Sequence, residues 1–131
     1  MNTVLISPRR WGKTSLVQKA CRLAQSDKLK IVYLDIFSCR SDRDFYDAFA
    51  SAVLKQTSSK VDEWLENIKL FLSRISPKIS MGADPMTDFS ISLEIDPKSN
   101  DSDEILQLPE KIAQKKGCNI VVCIDEFQQI A

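Results

Sequence analysis

Apolar positions recur along this chain at intervals that change several times, and each change marks an element. Thr3 to Ile6 is a short β-prone run, Ser7 to Gly12 is rich in breakers, and Lys13 to about Gln25 repeats at helical spacing. The face expected to turn inward there is Leu16, Val17, Ala20 and Leu23/Ala24. Ile31 to Phe37 predicts a second buried strand, and Ser41 or Asp42 is placed to cap a helix whose inner face is Phe45, Ala48, Phe49, Ala52 and Val53. Val61, Trp64, Leu65, Ile68, Phe71, Leu72 and Ile75 form one further apolar stripe, ended by Pro77.

Beyond Pro77 the period becomes two. Ile79 and Met81 alternate with polar residues, Phe89, Ile91, Leu93 and Ile95 do the same, and Gly82-Ala83-Asp84-Pro85 between them is turn chemistry. This predicts an inserted β-hairpin over approximately residues 78–96, a covering element or a partner contact. Pro97 to Asp103 reads as loop. In Glu104 to Lys116, Pro109 either starts a second short helix or kinks a longer one, and Gly117 stops it. Asn119 to Ile124 is a continuous β-branched run of the kind buried in a parallel sheet, and it delivers Asp125 and Glu126 at its carboxyl end.

The chain has 131 residues, 44% of them hydrophobic and 27% charged, enough for one modest core. Eighteen basic residues balance eighteen acidic ones, so no overall field favours nucleic acid or an anionic membrane. No apolar stretch approaches the about 20 residues that span a bilayer, and no secretory pattern opens the chain. Cys21, Cys39, Cys118 and Cys123 form no CxxC pair and there is no histidine to complete a zinc site. They are read as reduced, mostly buried thiols in a cytoplasmic protein.

Ser7-Pro8-Arg9-Arg10-Trp11-Gly12-Lys13-Thr14 fits the phosphate-cradling Walker A pattern GxxxxGK[ST] except at its first position. The flanking strand and helix are the right context, because loop amides and the positive helix end converge where phosphate would sit. Arg9, Arg10, Trp11, Gly12, Lys13, Thr14 and Ser15 are the candidate nucleotide-binding residues, with Lys13 on the β- and γ-phosphates and Thr14 on magnesium. Trp11 is expected to pack on the protein or shield the site. Ser7 in place of glycine touches the turn more than the amides nearer Gly12. The strand ending in Asp125-Glu126 fits a Walker B motif, with Asp125 orienting magnesium and Glu126 polarising the attacking water. Lys13 and Glu126 are thus the candidate catalytic residues, Thr14 and Asp125 the metal ligands, and ATP and Mg2+ the cofactors. The fold expected is a three-layer α/β P-loop NTPase with a parallel central sheet.

With LISPRRWGKTSLV at Leu5 to Val17 and VVCIDEFQQI at Val121 to Ile130, the chain resembles the archaeal-type P-loop ATPase family, relatives of AAA+ and STAND proteins. The resemblance implies ATP binding and hydrolysis that drive conformational change in a larger protein. It also implies that residues 1–131 are the front part of an incomplete domain, lacking the sensor strand and arginine-bearing segment that follow in relatives, and that the fragment alone is inactive. Without the sensor strand, either the two motif strands pair directly or the sheet has a gap. The alternative function is a nucleotide-gated signalling or interaction module with negligible turnover. A protein partner or self-association fits either reading, and nucleic acid enters by family analogy alone.

Overall fold

The structure, a computed structural model, describes residues 2–8, 10–58, 61–71, 77–81, 89–93 and 101–129. Its elements run α1 (Lys13–Ala24), β1 (Leu29–Asp35), α2 (Asp42–Thr57), α3 (Val61–Phe71), β2 (Pro77–Met81), β3 (Phe89–Leu93), α4 (Asp101–Leu106), α5 (Leu108–Lys116) and β4 (Asn119–Asp125). β1 and β4 pair in parallel, Leu29 opposite Asn119 and Asp35 opposite Asp125. β2 and β3 pair antiparallel as a separate two-stranded sheet, Pro77 opposite Leu93, along the two runs whose period is two. The expected turn at Gly82 to Pro85, and residues 94–96, lie outside the described residues. The architecture is a small α/β fold built on a two-stranded parallel sheet.

Alternation along the two parallel strands divides the sheet into unlike faces. Val32, Leu34 and, just past the strand, Ile36 are buried on one side, where Ile120, Val122 and Ile124 of β4 join them. That face receives Phe49, Ala50, Val53 and Leu54 of α2 together with Ile105, Leu108 and Ile112 from α4 and α5. The other face presents Tyr33, Cys123 and Asp125 towards α1, as the contacts of Cys21 with Cys123 and of Thr14 with Asp125 show. One face is therefore the core and the other carries the polar chemistry.

Local signals explain the helix ends. Ser41 caps α2 by accepting a hydrogen bond from the Asp44 N–H at 3.1 Å, and the Asp44 carboxylate accepts from the Arg40 N–H at 3.0 Å. Pro109 stands in the first turn of α5, so it starts a second helix rather than kinking a longer one. Gly117 ends α5 with φ 64°, a left-handed conformation that favours glycine. α3 is tied to α5 by polar contacts: Asn67 is buried and accepts from the Lys115 ammonium at 3.0 Å, and Lys116 pairs with Glu63 at 2.5 Å.

The outer edge of β1 is closed by side chains. Leu29 donates to the Ser26 hydroxyl at 3.1 Å and accepts from the Ser26 N–H at 2.9 Å. Ile31 donates to the Gln25 side chain, and the Gln56 amide both accepts from the Tyr33 N–H and donates to the Tyr33 carbonyl, each at 3.0 Å. Gln56 thus takes the place of a neighbouring strand, satisfying an edge that would otherwise pair with another chain.

Four expectations change. Thr3–Ile6 forms no strand: residues 2–8 are irregular, with Val4 80% and Ile6 91% exposed. A strand exists only with a hydrogen-bonded partner, and this run pairs with neither β1 nor β4. The two motif segments therefore do not pair directly. The inner face of α1 is also rotated: no residue of α1 is fully buried, Leu16 and Leu23 are exposed, and the half-buried positions are Lys13, Val17 and Cys21, one turn apart each. A sheet of two strands is too narrow to cover the wider stripe. Asp101 to Asp103 are helical rather than loop. Among the cysteines only Cys39 is buried, the other three being half-buried, and all four are free thiols.

Candidate functional site

The chain enters α1 through Arg10 at φ 65° and Gly12 at φ 76°, both left-handed. A non-glycine residue in that region is uncommon, and turns of this kind aim successive N–H groups at a common point. Gly12 is the N-cap of α1 and has no side chain to satisfy the first turn, so the amides at the start of the helix keep their positive end open. The acceptor side is Asp125, held at the carboxyl end of β4.

Asp125 is the centre of the site. Its Oδ2 accepts from the Thr14 hydroxyl at 2.7 Å and from the Tyr33 hydroxyl at 2.6 Å, and its Oδ1 accepts from the Glu126 N–H at 2.9 Å. Two of these donors come from distant segments, α1 and β1, and the third from the residue after β4, so α1 and β1 converge on one carboxylate. The Tyr33 hydroxyl does most to hold Asp125 below the usual carboxylate range. The Thr14 hydroxyl, the Glu126 N–H and the Lys13 charge act the same way, and partial burial opposes them. Tyr33 is pushed well above the ordinary phenol value, first by burial and then by donating to Asp125. The pair is thus a neutral phenol donating to an anionic carboxylate.

Glu126 has φ 61°, a strained conformation for a side-chain-bearing residue. Its N–H bond to Asp125 and the bond from the Gln129 N–H to its carbonyl, at 3.0 Å, hold the turn. The Glu126 carboxylate accepts from the Gln128 amide.

Of the residues singled out from sequence, Lys13, Thr14, Asp125 and Glu126 are brought to one place. Arg10, Gly12 and Ser15 lie exposed on the same loop and first turn. Trp11 is 77% exposed, so it does not pack on the protein. Arg9 lies outside the described residues. Sequence reasoning missed Tyr33. Its signal was a phenol inside an otherwise apolar strand, because a tyrosine hydroxyl drawn into the fold needs a partner.

A cavity of about 610 Å³ opens beside the site, lined by Gln18, Cys21, Arg22, Gln25, Tyr33 and Gln56 among others. It shares Tyr33 with the Asp125 cluster but is lined by none of the loop residues, Lys13 and Thr14 included, and lies between the later part of α1 and β1. Burial pushes the Cys123 thiol up to about 11, with the neighbouring Cys21 adding to the effect. Burial likewise raises Cys39, with Asp44 and Asp35 contributing. Among the described residues no helix is long and apolar enough to cross a membrane. Comparison with protein families, with characterised proteins and with solved structures finds no match to this chain.

Proposed function

We propose that the loop before α1 and the end of β4 form the phosphate and magnesium half of an ATP site, and that the protein is a cytoplasmic P-loop ATPase of the archaeal type. The observation that supports this most is the 2.7 Å hydrogen bond between Thr14 and Asp125, residues 111 apart in sequence. A chance GKT turn and a chance strand ending in Asp-Glu have no reason to meet; a metal–phosphate site requires that they do. The three-layer fold belongs to the same reading.

The donor set fits magnesium. A hydroxyl and an anionic carboxylate are hard oxygen ligands, and a partly hydrated magnesium ion takes one or two such protein groups beside phosphate oxygens. Thr14 and Asp125 would hold it, and its chemistry is to neutralise charge building on the β- and γ-phosphate oxygens. The chain's own residues supply the rest. Lys13 positions and balances the phosphate chain, the amides from Gly12 onward donate to it, and Tyr33 keeps Asp125 ionised and oriented. Glu126, next to Asp125, accepts the proton of an attacking water.

A second reading, a nucleotide-gated module that scarcely hydrolyses, draws support from the Gln128 bond that engages the Glu126 carboxylate. One set of measurements separates the two. Binding of a fluorescent ATP analogue with and without magnesium, and phosphate release, are followed in the parent chain and three variants. Lys13→Ala and Thr14→Val should each weaken binding by more than about tenfold, equivalent to about 1.4 kcal/mol. Glu126→Gln should keep binding and abolish release. Parental affinity in both of the first two variants refutes the site; tight binding with no release by the parent selects the gated module.

A further inference from the structure

Cys21 belongs to α1 and Cys123 to β4, 102 residues apart in sequence, yet their sulfurs stand 3.8 Å from each other. Both are free thiols, and both are half-buried. Cys21 also lines the cavity beside the sheet, together with Gln18, Arg22 and Tyr33, so a small reagent has a route to its sulfur. Cys39 is buried and Cys118 precedes β4 at its other end, which leaves the facing pair distinct from the remaining cysteines. A disulfide needs a sulfur separation of about 2.05 Å. The approach required is small, and α1, with no fully buried residue, is lightly enough packed to make it.

We propose that Cys21 and Cys123 are a dithiol modification site that closes to an intramolecular disulfide with a low-molecular-weight disulfide as oxidant, clamping α1 to β4. The Cys21 thiolate attacks one sulfur of the oxidant, whose S–S bond breaks and releases one small thiol. The Cys123 thiolate then attacks the Cys21 sulfur of the mixed disulfide and expels the second small thiol. The protein gives up two electrons and two protons, and the oxidant becomes two thiols. Thr14 lies about two turns before Cys21 on the same helix, and Asp125 two residues beyond Cys123 on the same strand. The clamp therefore fixes the spacing of the two segments that meet at Asp125.

The full chain is incubated with oxidised glutathione, quenched with N-ethylmaleimide in denaturant, and read by intact mass and peptide mapping. The four cysteines all take label before oxidation; afterwards label should remain on Cys39 and Cys118 alone, with a cross-linked peptide joining Cys21 to Cys123 that dithiothreitol releases. The double variant Cys39→Ala with Cys118→Ser should lose all label on the same treatment, and Cys21→Ser should form no cross-link to Cys123. Glutathione left in place on Cys21, a cross-link to Cys118, or four cysteines still labelled overturns the proposal. None of these outcomes depends on nucleotide, so failure here is distinct from failure of the ATP site.

Discussion

Replacing Tyr33 by phenylalanine removes one hydroxyl and leaves the ring. In the structure that hydroxyl donates to the Asp125 carboxylate at 2.6 Å, a short bond to an ionised acceptor. Hydrogen bonds to charged groups contribute about 1.5–3 kcal/mol, and the half-exposed site screens part of this, so the loss should be about 1–1.5 kcal/mol. Asp125 keeps the Thr14 hydroxyl and the Glu126 N–H, and is not orphaned. For a chain of this length the melting temperature should fall by about 5 °C. The sign of the pH dependence follows from the two shifts. Asp125 is lowered in the fold, so its contribution is present above the unfolded value of about 3.9 and is lost as pH falls through the folded value. Tyr33 is raised, so its contribution is full below about 10 and is lost as pH climbs toward the folded value. The Tyr33→Phe penalty should therefore be flat from about pH 5 to 9 and shrink by about pH 3. Thermal melts of both proteins by circular dichroism across that range test it. Equal melting temperatures at neutral pH, or the same penalty in acid as at neutrality, would show that the bond does not act as described.

Leu54→Ala empties a fully buried position of α2 in the core and should cost about 2–5 kcal/mol in urea unfolding, a large share of the about 5–15 kcal/mol expected for a domain. Gly117→Ala meets no atom within 4 Å at its new Cβ, so its cost should be that of the left-handed backbone alone, about 1–2 kcal/mol. An asparagine there, which tolerates this conformation better, should recover part of that loss in the same assay.

The elements carried by local chemistry were legible in sequence. Ser41 and Gly117 mark helix ends because caps and left-handed residues are satisfied within a few positions, and the period-two runs give the hairpin strands because alternation is itself the signal. What failed depended on width and partners. The Thr3–Ile6 run has strand composition, but composition supplies no neighbouring edge. The α1 stripe was read too broadly because burial depends on how many strands lie beneath the helix.

The candidate site divides the same way. Sequence by itself determined the residue types and their order: a glycine, lysine and threonine opening a helix, and a carboxylate pair closing an apolar strand, since both patterns are short and local. Only the tertiary structure decided that Thr14 and Asp125 touch, that Tyr33 joins them from β1, that Gln56 closes the edge of that strand, and that Cys21 faces Cys123. Each of these contacts depends on which face a strand residue takes or on where a helix crosses the sheet. Those are fixed by parallel pairing of β1 with β4 across a long stretch of intervening chain, and no local pattern encodes them.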